Sequence, residues 1–225
     1  MEPIETIDYK GCKIHIHQDQ DPESPREWSN LGVMVCFHKR YTLGDKNHGL
    51  TSDMFHGWVE VEEYLTREKH ATIVLPLYLY DHSGLRIKVG DFRGLLPQGH
   101  AEFDSGQVGF IYASKEAILK EYKVKRITKA ILAKVEKVLE GEVKDYDDYL
   151  SGNVYGFIAE DAKGNHCGSC WGFFGDWEKS GLINSAKTDI DTHLANRQKT
   201  KEHKLRQLII NKVPLEKRQL ILSNL

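Results

Sequence analysis

Thr72-Ile73-Val74-Leu75-Pro76-Leu77-Tyr78-Leu79-Tyr80, followed by Asp81-His82-Ser83-Gly84, is the stretch on which the fold turns. It is the most hydrophobic run of the chain, and its β-branched and aromatic side chains suit a pleated surface, so it predicts a strand. Pro76 has no N–H to give a ladder, which places a bulge at that point or puts the strand on an edge. Asp81 to Gly84 are turn formers, and Leu85 to Val89 returns as the second arm of a hairpin.

Upstream, Lys13-Ile14-His15-Ile16-His17 alternates, predicting a half-buried strand with Ile14 and Ile16 inward and His15 and His17 outward. Gln18 to Asn30 holds Asp, Pro and Asn and reads as a loop. Val33 to His38 is a continuous apolar run, which predicts a central strand. Leu43 to Phe55 is polar, glycine-bearing and without persistent period. Val59 to His70 predicts a short helix with Val59, Val61, Tyr64 and Leu65 on its inner face.

Downstream, a glycine-rich connection from Gly90 to Gly106 leads to a strand over Gln107–Tyr112. At Ser114 the period becomes helical, with Ser114 as N-cap. Thr128 caps a second helix, in which Ile131, Leu132, Val135, Val138 and Leu139 recur at spacings of three and four and leave Lys129, Lys134 and Lys137 outside. Strand period returns after Gly152. Val154–Ala159 and Cys167–Phe174 flank Asp161–Asn165 as a hairpin, with Trp171 and Phe173 expected on one face and Phe174 on the other. The last 45 residues read as polar helices broken at Pro214, with Leu205, Leu208 and Ile209 as a narrow seam. The fold class is therefore α+β, a mixed or mainly antiparallel sheet with helices packed on one face and a helical C-terminal appendage. The expected division is a body over 1–176 and a basic appendage over 177–225.

At 225 residues the chain buries a core without staples. No apolar run approaches the roughly 20 residues of a membrane span, and the start lacks the basic and apolar regions of a secretory signal. The expectation is a cytoplasmic protein with no membrane partner. A net charge of -2 conceals blocks: -6 over 1–112, +5 over 113–137, -7 over 138–196 and +6 over 197–225. Such segregation marks either solvated helix faces or surfaces that meet acidic partners and nucleic acid. Lys129, Lys134, Lys137, Lys201, Lys204 and Arg206 are the candidate contact residues.

Cys167-Gly168-Ser169-Cys170-Trp171 matches the wording around a papain-type nucleophile. That chemistry needs a helix N-terminus and a His and Asn more than a hundred residues downstream, whereas only 55 residues follow Cys170 and the motif falls on a strand. A glycine-spaced core strand is the better reading. A Cys3His zinc site from Cys36, His38, Cys167 and Cys170 is one alternative that the residue types allow. A second set, Asp19, Asp21, Asp81, His82 and Asp104, has the oxygen-rich character of a Mg²⁺ or Mn²⁺ phosphoesterase, with Asp81, His82 and Asp104 as its catalytic members. Each of these is equally a turn former, and no cofactor is predicted. His15 and His17 read as an exposed polar face. No dinucleotide or P-loop motif occurs.

Several stretches resemble a family of uncharacterised accessory proteins of bacteriophages and mobile elements: Asp21-Pro22-Glu23-Ser24-Pro25-Arg26-Glu27-Trp28-Ser29-Asn30-Leu31-Gly32, Tyr80-Asp81-His82-Ser83-Gly84, Asp104 to Tyr112 and Ser169 to Gly175. The likeness spans roughly residues 13 to 176. In that family the Ser-Cys-Trp-Gly-Phe run lacks the first cysteine, which makes Cys167 look incidental, and the long basic tail is absent. The family carries no activity to transfer. What the resemblance implies is a protein of the bacterial host cytoplasm that acts by binding a host protein, such as a defence protein, or a nucleoprotein complex. The alternatives are the metal-dependent enzyme and nucleic-acid binding through Lys120–Lys137 and Arg197–Arg218. Self-association is a further role open to the C-terminal helices.

Overall fold

The computed structural model describes residues 2–95 and 103–222; the middle of the Gly90–Gly106 connection lies outside them. In chain order the elements begin with β1 (Glu5–Tyr9), β2 (Cys12–Gln18), β3 (Val33–Cys36), α1 (Trp58–Arg67), β4 (Ala71–Asp81), β5 (Leu85–Val89) and β6 (Ser105–Ser114). They continue with α2 (Lys115–Glu121), α3 (Lys129–Leu150), β7 (Val154–Asp161), β8 (His166–Phe174), α4 (Leu182–Lys212) and α5 (Leu215–Leu222). The α+β class holds, with two antiparallel sheets in place of the one expected. The chain divides into two compact units, Met1–Asp19 with Tyr155–Leu225, and Gln20–Val154. That division differs from the expected boundary at residue 176, because α4 packs on strands from both ends of the sequence.

The first unit is a sheet of order β1-β2-β7-β8. Lys10 and Gly11 have positive φ of 51° and 77°, as a two-residue hairpin between β1 and β2 requires. Ile14 and Ile16 pair with Ala159 and Phe157 across β2 and β7, and all four are buried against Leu182, Ala186 and Ile190 of α4. Fully burying each such aliphatic stabilises by about 1.5–3 kcal/mol, so this core fixes the N-terminal half of α4. His17 departs from expectation. Its imidazole is buried beside Trp171, with ring centroids 6.1 Å apart. Gly156, opposite His17, lies under the Trp171 ring, where an added Cβ would come within 2.3 Å of it. Phe173 packs instead on Phe157 in the core. Trp171 and Phe173 therefore occupy opposite faces, the switch falling at Gly172 with φ +81°.

The second unit is a sheet of order β3-β6-β4-β5. Leu77, Leu79, Ile87 and Ile111 meet Val135, Leu139, Val143 and Tyr146 of α3 on one face. Val35, Phe110 and Tyr112 meet Val61 and Leu65 of α1 on the other. Helices thus cover both faces of this sheet, where one was expected. The Ser114 and Thr128 caps form, accepting from Ala117 and Ile131 N–H groups at 3.2 and 3.3 Å. Val138 is 39% exposed and Val59 71%, so neither belongs to the inner face assigned to it. The Val33–Cys36 strand is an edge, not a centre; a loop folds back on it through the Val35–Gly44 bridge. Pro76 sits just beyond the end of the β5 pairing, one residue before a register shift at Leu77/Tyr78. Its carbonyl accepts from Gly90 N–H at 2.9 Å, so the missing donor falls on the β5 flank, at the point where that pairing ends.

Candidate functional site

The loop after β3 builds a hollow in the second unit. Gly44 must be a glycine: its φ is +71°, and a Cβ there would stand 2.6 Å from the Met34 carbonyl. Asp45 then donates its N–H to Met34 O at 2.9 Å and accepts from Met34 N–H at 2.9 Å through Oδ2. Its carboxylate is forked by Arg26, with Nε at 2.7 Å and a terminal nitrogen at 3.0 Å. Arg26 also reaches Glu142 at 3.1 Å and the Gly32 carbonyl at 2.7 Å. The loop is thereby tied to β3 and α3.

Beyond this anchor, residues 36–61 enclose a hollow of about 650 Å³. Phe37 is at its centre, stacked on Trp58 at 6.1 Å and 12° and flanked by Phe55 and His48 at 6.2 and 6.0 Å. All four rings are half-buried. His48 Nδ1 accepts from Leu50 N–H at 3.0 Å, and His38 Nδ1 accepts from Arg40 and Tyr41 N–H at 3.2 Å each. Both imidazoles therefore present Nε2–H as a donor when neutral. Burial holds His48 below its usual range, against the opposing charge of Asp45. Lys39 and Lys46 stand at the exposed rim. Asp45 is the one carboxylate among the lining side chains, and Arg26 neutralises it.

Asp81, His82 and Asp104 do meet, at the β4–β5 turn and the start of β6. Asp81 is ion-paired to Arg40 at 2.7 Å and His82 Nδ1 lies 3.1 Å from Asp104 Oδ2, while Asp81 N–H donates to Asp104 O at 2.9 Å. Asp19 belongs to the first unit and Asp21 to the second. Among the described residues no group of three or more His, Cys, Asp or Glu side chains is placed to hold a metal ion.

The four zinc candidates are divided between the two units, Cys36 and His38 in the second and Cys167 and Cys170 in the first. Cys36 is buried in the core of the second unit, where desolvation pushes its thiol up to about 12 and Asp45 reinforces the shift. His38 stacks on Tyr41 at 4.9 Å. Cys167 packs beside Cys12 in the core of the first unit, and burial together with that neighbouring thiol pushes it up to about 11. Cys170 is exposed.

Of the candidate contact residues, Lys129, Lys134 and Lys137 are exposed on α3, and Lys201, Lys204 and Arg206 on α4. From Gln198 to Lys212, Ile209 is the one buried side chain, and Leu205, Leu208 and Ile210 are 44%, 52% and 41% exposed. No helix among the described residues is long and apolar enough to cross a membrane. Comparisons with protein families, curated proteins and solved structures return no match. The likeness to mobile-element proteins rests on the sequence stretches alone.

The hollow was not visible as a unit in the sequence. Its four rings come from a strand end, two loop positions and the first residue of α1, with no common period. The signal that did exist was Tyr41-Thr42-Leu43-Gly44-Asp45, whose glycine and aspartate close the loop.

Proposed function

We propose that this chain is a phage- or mobile-element-encoded accessory protein that acts by binding, and that it contacts a host protein or nucleoprotein complex through the second half of α4. One observation carries the reading: Leu205, Leu208 and Ile210 are exposed on the same helical segment as Lys199, Lys201, Lys204, Arg206 and Lys212. Apolar side chains set among cations suit a partner surface with an apolar centre and an acidic rim. A 31-residue helix rises about 46 Å, so its second half extends well beyond the turns that Leu182, Ala186 and Ile190 anchor. The enzyme alternative draws no support from the geometry, since Asp81, His82 and Asp104 are engaged with Arg40 and with one another.

The test is capture from host cells with the tagged full chain and with Lys201→Glu/Lys204→Glu/Arg206→Glu. The reading requires a partner that survives nuclease treatment on the parent chain and is lost on the variant. An identical set of captured proteins on both would refute it. Retention on DNA or RNA that weakens steeply with salt, as counterion release demands, would favour the nucleic-acid alternative instead.

A further inference from the structure

We infer that the aromatic hollow of the second unit is a binding site for a mononucleotide, its base lying on the Phe37–Trp58–Phe55 shelf and its phosphate meeting Lys39 and Lys46. This site is independent of the α4 surface and extends the function beyond macromolecular contact.

Three features converge on this ligand class. The hollow, at about 650 Å³, falls inside the roughly 300–1,000 Å³ typical of small-molecule sites. Its floor is aromatic without being sealed: Phe37, Phe55 and Trp58 are half-buried, and Phe37 packs on both of the others within 6.2 Å. Rings held by neighbouring rings present a stiff π-surface, which stacks with any planar base. A purely apolar ligand would leave the polar half of the lining unused. Lys39, Lys46, His38 and His48 all line the hollow, and the two imidazoles have Nε2–H donors to offer a ligand's acceptors.

Charge decides between a neutral ring compound and an anionic one. The single carboxylate in the lining, Asp45, already accepts from Arg26 and Met34 N–H. Lys46 faces Glu27 at 3.3 Å, but both are more than half exposed, and such a pair opens at small cost. The rim therefore keeps uncompensated positive charge beside an aromatic floor. A base carrying a phosphate answers both.

The experiment is calorimetric titration of the full-length protein with AMP, GMP, CMP and UMP, with the corresponding nucleosides, with inorganic phosphate alone, and with a 5′-phosphorylated tetranucleotide. At least one mononucleotide is expected to bind at one site per chain. Its nucleoside should bind at least about tenfold more weakly, since the charge contacts are lost. Phe37→Ala should weaken the mononucleotide by about tenfold or more through lost stacking. Lys39→Glu/Lys46→Glu, exposed substitutions that leave the core untouched, should do the same with an unchanged thermal midpoint. Binding of none of the four mononucleotides, binding of the tetranucleotide alone, or unaltered affinity in the lysine variant would overturn the assignment.

Discussion

Arg26 Nε lies 2.7 Å from Asp45 Oδ1, with the arginine side chain 4% exposed. The same guanidinium binds Glu142 on α3, so one residue of a short 3-10 turn holds the hollow's loop to the helix behind the sheet. Removing one member of a buried ion pair strands the others. Arg26→Ala should cost about 3–5 kcal/mol, and Arg26→Lys should recover part of it at most, because an ammonium cannot fork a carboxylate. Urea denaturation monitored at two wavelengths checks both; a loss below 1 kcal/mol, on the order of an exposed pair, would count against the network.

Close backbone approach gives a second contrast. A Cβ at Gly109 would fall 1.9 Å from the Val35 carbonyl, whereas one at Gly106 on the same strand meets nothing within 4 Å. Gly109→Ala should therefore separate β3 from β6 and cost at least about 2 kcal/mol. Gly106→Ala should stay within about 0.5 kcal/mol of the parent. Equal thermal midpoints for the two would contradict the register.

His17 and Asp161 of the first unit help give stability a stepped pH dependence. Burial, aided by His15, lowers the His17 pKa, and its Nδ1 is buried without a partner. The fold thus prefers neutral imidazole. The unfolded chain takes up a proton near pH 6.5, so this contribution is present above that value and declines as the pH falls below it. His17→Phe should flatten the decline, and what remains falls to His48, which burial lowers as well. Asp161 is held at about 2, first by the Asn165 side chain, then by the Asn165 and Lys163 N–H groups, with Arg197 adding charge. Its contribution is present above about pH 4 and is lost as the pH falls toward 2. Asp161→Asn should shrink that second step, and what remains falls to Asp53, Asp91, Asp176 and Asp191, whose pKa values are lowered by hydrogen bonds as well. Thermal midpoints measured from pH 8 to pH 2 resolve both.

Thiol accessibility separates the four cysteines. Cys170 is exposed, Cys167 half-buried, and Cys12 and Cys36 buried. Alkylation of the native protein at neutral pH followed by peptide mass spectrometry should label Cys170 first. Cys36 should react on unfolding alone, being both buried and protonated. Rapid labelling of Cys36 in the folded chain would contradict its place in the core.

Much of the fold was legible where one period acts on one element. Ile14 and Ile16 lie inward, and Ser114 and Thr128 cap as read, because alternation and capping are local. Errors arose where a second element decided the outcome. His17 has the outward phase of its strand, yet Trp171 covers it. The apolar run Val33–Cys36 reports burial rather than position, and the Gly44 loop supplies that burial at a sheet edge. One glycine at positive φ sent Trp171 and Phe173 to different faces. Asp81, His82 and Asp104 do lie together, but Arg40, the ion-pair partner of Asp81, came from a distant loop. The hollow escaped notice because Leu43–Phe55 carries no period at all.

On the proposed function, the exposed half of α4 is the surface that meets the partner. A photo-crosslinking amino acid at position 208, compared with one at the still more exposed Val59 of the second unit, tests it in host cells. The account predicts a discrete crosslinked product from position 208 and none from 59. A product from 59 alone, or from neither, would contradict it.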